Sequence, residues 1–495
     1  MKTKNFFLTL LLAAMISFPA HVGAQVTIGG TNVPNEFSIL ELMSLDERGL
    51  RLPQMTTQQR NDMQAGFGAL ADTEARGLQI FNTDTRCVEV WNGRIWISMC
   101  TAADGAVIPP EFCDTCFPGC PDENPLRGFT AVHLNDGMPH PQSFTFQGAP
   151  GTLNQNHISF NMMPVTGGVF VRGAQSANPD CPNYISASDP FGAPQALAAP
   201  IHQVAVNSFF IGQSQVTREL FMAVMAFSGT VNGHTLTPLT TLLAATDRPD
   251  GTALTTPNHP RNRVNWYEAV VFMNRLSAIM GRDLVYVTNN NAVTGANLLN
   301  PPSFPTNNAF AFCAIRDSWD IAVSKHPDWL NRNGFRLPTE TEWEYAARGG
   351  QQNEYTRTFG ASGTQLQWSG GNNINAIAWW GHPPAGSLGG NSGAQAHPVM
   401  LLQPNELGIF DMTGNVWDWC WDWLSTYNNL CFLINPTGDP RNAGGTNTAG
   451  LWNRVHRGGS WSDTPAFTRV SIRGFSSTPA YRHGAWGIRI ASSTN

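Results

Sequence analysis

Residues 335–350 read Phe335-Arg336-Leu337-Pro338-Thr339-Glu340-Thr341-Glu342-Trp343-Glu344-Tyr345-Ala346-Ala347-Arg348-Gly349-Gly350. Thr339 with Glu342 three residues later is the pattern of a capping box, in which two side chains satisfy orphan N–H groups at a helix start. Gly349 offers a C-terminal stop. The stretch predicts a short helix beginning at Thr339. Arg336, Glu342, Trp343, Glu344 and Arg348 are read as internal structure, because a charged helix facing irregular loops needs ion pairs and hydrogen bonds of its own.

Two further helices flank this one in the sequence. One follows Thr217, from Arg218 to Met225. The other begins at Asn265, where Asn265-Trp266-Tyr267-Glu268 repeats the capping-box logic. In it Val270, Val271, Met273, Asn274 and Leu276 mix one apolar face with a polar one. All three are short, and most of the remaining region reads as strands and long loops. An irregular stretch, 282–333, interrupts it and is expected to be an insertion loop on a rigid scaffold.

Composition agrees with that picture. The chain has 495 residues, which suggests two to four domains at roughly 150 residues each. Charged residues make up 13%, about half the usual share of about 25%. With 47 Gly, 34 Pro and 16 Trp, the expectation is a loop-dominated fold and not a helical bundle. A net charge of −6 and a pI near 6.0 provide no basic face, so nucleic acid is excluded as a partner.

Lys2 and Lys4 precede an apolar run from Phe6 to Phe18 and then Val22-Gly23-Ala24. That order describes an export signal cleaved near Ala24, with the run too short to span a bilayer. Gln25 follows the cut, so a lipid anchor is not expected, and no later segment is long and apolar enough to cross a membrane. The mature chain is expected to be secreted, periplasmic or on the cell surface. Four segments follow: 1–24 signal peptide, 25–100 small β-rich module, 101–153 Cys/Pro/Gly-rich linker and 154–495 large domain. Nine cysteines in an exported chain read as disulfides with at least one thiol left over. Cys113, Cys116 and Cys120 have a spacing that also suits zinc.

The module at 25–100 contains Gly49-Leu50-Arg51-Leu52-Pro53-Gln54-Met55-Thr56 and Gly77-Leu78-Gln79-Ile80-Phe81-Asn82-Thr83. It also places Asn92-Gly93, a hairpin signal, between Val88–Trp91 and Arg94–Ile97. It is similar to phage tail-fibre head regions, which implies presentation or assembly.

Five ordered stretches in the large domain carry a stronger resemblance. They are Val206–Gly212 leading to Val216-Thr217; His259-Pro260 through Val264-Asn265-Trp266; the opening stretch at 335–350; Asn405-Glu406-Leu407-Gly408 through Asp411-Met412-Thr413-Gly414-Asn415-Val416-Trp417-Asp418-Trp419; and Arg457-Gly458-Gly459-Ser460-Trp461, closing with Trp486-Gly487-Ile488-Arg489. Together they resemble the formylglycine-generating, or sulfatase-modifying factor, family. The resemblance implies an α+β fold: a complex, loop-rich, C-type-lectin-like domain, here preceded by the β-rich module.

In that family two cysteines shortly after the Gly-Gly-Ser turn bind copper and oxidise a substrate cysteine to an aldehyde. Here the corresponding positions fall at Asp463 and Thr468, and no cysteine follows Cys431. Soft thiolates select Cu(I), and hydroxyls or carboxylates do not replace them, so no catalytic residue is assigned and copper is not expected. The related iron-dependent sulfoxide synthases hold their metal with histidines. No two histidines of this chain lie within four residues of each other, which leaves only scattered candidates such as His202, His397 and His456.

The family's calcium loop carries over residue by residue. Asp411 and Asp418 would supply carboxylates, and Met412, Gly414 and Val416 carbonyls, the hard oxygen set that Ca²⁺ requires. Its role would be structural. Beyond Gly-Gly-Ser, residues Ser462, Asp463, Thr464, Phe467, Ser471, Phe475, Ser476, Tyr481 and His483 mix aromatic anchors with small hydroxyls, the composition of adaptable binding faces. Ser462, Asp463, Phe467, Phe475, Tyr481 and His483 are the candidate ligand-binding residues, with a protein, glycan or cell-envelope component as the expected partner. The leading expectation is a non-catalytic ligand-binding or surface-assembly protein. The alternatives are a diverged metal-dependent oxidase, a retroelement-diversified variable binding protein and a component of an exported motility or secretion machine.

Overall fold

A computed structural model describes residues 26–28, 40–42, 53–65, 78–84, 87–91, 96–98, 141–147, 157–177, 183–189, 195–239, 256–305, 318–350, 366–381, 389–424, 427, 432–434, 453–474 and 478–494. The chain divides into two compact units, residues 1–100 and 101–495. The export signal, the Cys113–Cys120 cluster and Phe475 lie outside the described residues.

In the first unit Gln54–Met55, Gln79–Asn82, Cys87–Trp91 and Trp96–Ser98 form one sheet in that order. Helix Thr57–Ala65 follows the first of these strands. Val26–Ile28 pairs in parallel with Leu40–Leu42. The last two strands are antiparallel, as the Asn-Gly signal predicts, but Trp91 lies opposite Trp96. A two-residue turn would have set Trp91 against Arg94; the connection is two residues longer.

The second unit is built from strands β1 (Gln142–Gln147), β2 (His157–Val165), β3 (Gly168–Arg172), β4 (His202–Val206) and β5 (Phe209–Gly212). Helices α1 (Arg218–Ala226) and α2 (Trp266–Ile279) follow, then strands β6 (Tyr286–Thr288), β7 (Val323–Lys325) and β8 (Phe335–Arg336), and helix α3 (Glu340–Ala347). The chain closes through β9 (Trp417–Trp423), β10 (Phe432–Ile434), β11 (Arg454–Arg457), β12 (Trp486–Gly487) and β13 (Ala491–Ser493). The main sheet has the order β8-β13-β5-β2-β1, and two three-stranded sheets have the orders β10-β4-β3 and β11-β9-β12. This is an α+β architecture of short elements.

All three predicted helices form where their caps stand. The Thr217 hydroxyl accepts the Leu220 N–H, and full capping boxes close at Asn265/Glu268 and Thr339/Glu342. Two expectations need correcting. Helix α2 has no polar face: every residue from Trp266 to Ala278 is buried. Its polar side chains serve the loops around it, with Arg275 donating to the carbonyls of Val224, Leu299 and Phe227. The stretch 282–333 is also no peripheral loop in its described parts. It pairs β6 with β7 in an antiparallel ladder and places Val285, Tyr286, Trp319, Val323 and Trp329 in the core.

Candidate functional site

The site grows from β9, whose sequence Trp417-Asp418-Trp419-Cys420-Trp421-Asp422-Trp423 alternates with the pleat of a strand. The strand is buried on both faces. Trp417, Trp419 and Trp421 belong to one core cluster and Cys420 to the other. Asp418 and Asp422 point at α3: Asp418 Oδ2 accepts the Trp343 indole N–H at 3.0 Å, and Asp422 Oδ2 accepts the Glu340 backbone N–H at 2.8 Å.

The charges of the opening stretch are consumed internally, as expected. Glu342 takes both forks of Arg336 at 2.7 Å, and Glu344 pairs with Arg348 and Arg457. Glu340 sits among Arg172, Arg473 and Arg457. Burial alone would raise its carboxyl, but the three guanidiniums outweigh it and hold the group well below the usual range. This network locks α3 against β9 and β11.

At the other end of β9, Trp417 pairs in parallel with Trp486 of β12, and Trp419 lies opposite His456 of β11. Gly474 is bridged to His456, and a Cβ there would stand 2.1 Å from His456 Nε2. That missing side chain lets the imidazole lie among the indoles. A cavity of about 240 Å³ opens here, walled by Trp417, His456, His483 and Trp486, with Ser462, Asp463 and Phe467 toward its mouth. Phe467 is 40% exposed.

Asp463 is held in place by neutral groups. Its Oδ2 accepts the Trp417 indole N–H at 2.8 Å and the Ser460 hydroxyl, while its backbone carbonyl accepts Gly381 N–H. Burial pushes its carboxyl up to about 6, against those hydrogen bonds. His456 is driven down to about 3 by burial. His483 is lowered by burial and by the nearby Arg263. Both imidazoles are neutral at pH 7.

Of the sequence-derived ligand residues, Ser462, Asp463, Phe467 and His483 line the cavity. Tyr481 packs edge-on against Trp486, with centroids 4.9 Å apart. Thr468, the second family cysteine position, is buried and donates its hydroxyl to the Pro465 carbonyl. Trp417, His456, Gly474 and Trp486 were not anticipated as lining, although the period-two tryptophans of β9 were a usable signal. The three scattered histidines do not meet: His202 packs on Tyr427, His397 stacks on Trp379 and His456 lies in the cavity wall. Among the described residues no cluster of three His, Cys, Asp or Glu side chains could hold a metal.

The calcium set occupies the turn entering β9. Gly414, at φ +75°, has only 2.3 Å between an added Cβ and the Trp379 carbonyl, so the turn requires glycine. Gln215 Nε2 donates to the carbonyls of Asp411 (3.3 Å) and Val416 (2.5 Å), which shows that these oxygens converge. Arg489 closes the same place, Nε to Asp418 Oδ2 at 2.9 Å and Nη2 to the Asp411 carbonyl at 3.0 Å. Asp411 Oδ2 accepts the Met400 N–H. Met412 packs in the core, and Gly414 N–H donates to the Gly458 carbonyl.

Two buried oxygens in this cluster, Asp418 Oδ1 and Gln215 Oε1, have no hydrogen-bond partner. Burial lifts Asp411 to about 6. A hard cation would satisfy a carboxylate oxygen such as Asp418 Oδ1, whereas Gln215 meets the carbonyls of Asp411 and Val416 through its N–H₂ group.

Fold and site together define a loop-rich α+β scaffold that presents an aromatic-walled cavity beside a Gly-Gly-Ser turn. The chain belongs to the sulfatase-modifying factor enzyme 1-like domain family, whose profile matches residues 149–494. Residues 27–111 match the profile of a phage tail like trimerisation region. Among curated relatives, the chaperone protein LppX of Paenibacillus barcinonensis is 28% identical over 280 residues, covering 55% of this chain and 75% of that protein. The formylglycine-generating enzyme of Streptomyces coelicolor is 34% identical over 186 residues, 36% of this chain, and this chain spans only 52% of that enzyme. The solved Treponema denticola variable protein 1 is 26% identical, covering 72% of this chain and 99% of that one, with a TM-score of 0.47. No described helix is long and apolar enough to cross a membrane.

Proposed function

We propose that this chain is an exported, non-catalytic binding protein whose cavity at residues 417–486 takes a ligand while the N-terminal unit assembles and displays it. The carrying observation is chemical. Where the family places its copper-binding thiolates, the cavity offers Asp463, and Thr468 lies buried with its hydroxyl engaged. Oxygen donors do not hold Cu(I). Among the described residues of the second unit the cysteine is Cys420, buried with its thiol pushed well up by burial, which disfavours the thiolate that a nucleophile needs. A relative named as a chaperone supports binding over turnover. Export rests on the Lys2–Ala24 reading, and assembly as a trimer on the profile match at 27–111.

The test of non-catalysis is incubation with a cysteine-bearing sulfatase peptide under copper and oxygen, followed by mass spectrometry. The peptide is expected to remain a thiol, and formation of the aldehyde would overturn this reading. Assembly is tested by light scattering on the mature chain. Three copies per particle are expected, and a monomer at micromolar concentration removes the display role.

Calcium belongs to the same proposal as a structural ion held by the Asp411 and Asp418 carboxylates with the carbonyls of Met412, Gly414 and Val416. Metal analysis of protein purified without chelator is expected to return calcium, with a lowered melting temperature after EDTA. An unchanged melting curve in metal-free protein rejects it.

A further inference from the structure

The cavity's shape and charge narrow the ligand further than the family resemblance does. Its walls do not form a flat platform. Trp417 meets His456 at 79°, His456 meets Trp486 at 54° and His483 meets Trp486 at 49°, with centroids 4.7–5.2 Å apart. Tyr481 backs Trp486 at 72°. The rings touch one another and form one faceted wall set in several planes, not the single open face on which a sugar or nucleobase stacks.

The walls carry one carboxylate, Asp463, and one guanidinium, Arg473, which faces Glu340. Arg473 reaches the cavity, but its guanidinium is buried and tied to both oxygens of Glu340, Nε to Oε1 at 2.5 Å and Nη2 to Oε2 at 2.8 Å. His456 and His483 are both held below their ordinary range. The Asp463 carboxylate accepts from two neutral donors, Trp417 and Ser460, and no described Arg or Lys forms an ion pair with it. Above pH 6 the cavity therefore presents one fixed carboxylate inside aromatic walls.

We propose that the cavity takes a small organic cation of the substituted-ammonium class, its alkyl groups packed against Trp417, Trp486 and His483 and its charge facing Asp463. The inference rests on the ligand-binding reading above and deepens it. Indole faces attract such cations through the ring quadrupole, more strongly once water is excluded. The anchored carboxylate adds its charge without reorganising, because Oδ2 is already fixed by two donors. An anion would meet repulsion from Asp463, and a polyhydroxylated ligand would find few polar partners beyond Ser462 and Asp463.

The experiment titrates the full mature chain with choline and with its neutral isostere 3,3-dimethyl-1-butanol, followed by tryptophan fluorescence and calorimetry. Choline is expected to bind at least tenfold more tightly than the alcohol at pH 7. D463N, checked for an unchanged near-UV spectrum, is expected to lose about tenfold. F467A at the exposed mouth should lose less and keep the preference for charge. Wild-type affinity should rise about tenfold from pH 5 to pH 7 as Asp463 ionises, and D463N should stay flat. Of the groups around Asp463, Trp417 and Ser460 do not ionise in that window, His456 is held near 3 and Arg473 stays charged; His483 is lowered by burial and by Arg263, and any slope that D463N retains is its contribution.

Phosphatidylcholine vesicles against phosphatidylglycerol vesicles separate a lipid headgroup from free choline. Capture by the former alone assigns the headgroup, and solution binding without capture assigns the free cation. Equal affinity for choline and the alcohol would overturn the charge assignment while leaving a ligand site. Absence of any response overturns the cation proposal, whereas only the aldehyde assay bears on non-catalysis.

Discussion

At the scale of single residues, the cavity depends on an absence. Gly474 has no side chain because His456 occupies the space: a Cβ would meet Nε2, Cδ2 and Cε1 of the imidazole at 2.1–2.4 Å. His456 is itself wedged between Trp417, Trp419 and Trp486, so the ring cannot swing aside without moving an indole. Overfilling a packed core of this kind costs about 1–3 kcal/mol. Gly474→Ala is therefore expected to lower stability by about 2 kcal/mol and to disturb the cavity tryptophans. Chemical denaturation with fluorescence detection reads both. A variant as stable as the parent, with unchanged emission, would show that the close approach is not real. Asp463→Ala, by contrast, leaves Trp417 N–H and Ser460 O–H without their acceptor; for that reason the conservative Asp463→Asn is the informative change at this position.

At the scale of elements, α3 shows what a sequence reveals directly. Thr339 Oγ accepts the Glu342 N–H at 3.1 Å, Glu342 Oε2 accepts the Thr339 N–H at 2.9 Å, and Gly349 follows at φ +87°. These are local relations, fixed by residues three to ten positions apart. Removing the cap hydroxyl with Thr339→Ala should cost about 1 kcal/mol, measured by thermal melting, and a change within error would mean that packing alone sets the helix start. Asn265 and Thr217 were legible for the same reason. Helix α2 was only half legible. Its start could be read, but not its burial on all sides, because Val224, Phe227 and Leu299, whose carbonyls accept the Arg275 N–H groups, come from segments 24–51 residues away. The cavity was legible along the tail, in Ser462, Asp463, Phe467 and His483, and hidden where strand pairing imports Trp417 and Trp486. A period-two run of tryptophans announces a strand; it does not say which indole meets the tail. Gln215 entered the oxygen cluster in the same unannounced way, 196 and 201 residues from its partners.

At the scale of the whole molecule, a fold with few regular elements leaves many backbone carbonyls to be satisfied, and buried polar groups must be hydrogen-bonded. Buried Arg489 donates to the carbonyls of Gly212, Phe410 and Asp411, Arg457 to those of Val470 and Ile472, and the indoles of Trp266 and Trp419 to those of Cys420 and Val264. This is why so weakly charged a chain still buries its arginines. The same burial shapes the response to acid.

Burial raises Asp411 and Asp463 to about 6, and burial with the nearby Glu340 raises Asp422 to about 7, against an ordinary value of 3.8, so between those values folding takes up protons, and stability from these three rises as pH falls. His202 and His456 titrate near 4 and 3 against an ordinary 6.5; the unfolded chain binds their protons first, and stability falls as pH drops below 6.5. His483 is lowered as well, so three groups of each kind oppose one another between pH 6.5 and 5. The metal-free protein should therefore melt at almost the same temperature across that interval. Below about pH 4 the aspartates no longer differ between states, the histidines still do, and Glu340, held low by its arginines, begins to lose its ion pairs, so stability should fall steeply. Asp463→Asn removes one of the three compensating acids. Relative to wild type it should lose about 1 kcal/mol between pH 7 and 5, turning a flat profile into one that slopes downward on acidification. Parallel profiles for the two proteins would show that Asp463 is already ionised at pH 5, and with that the carboxylate would not be the buried group this fold makes it.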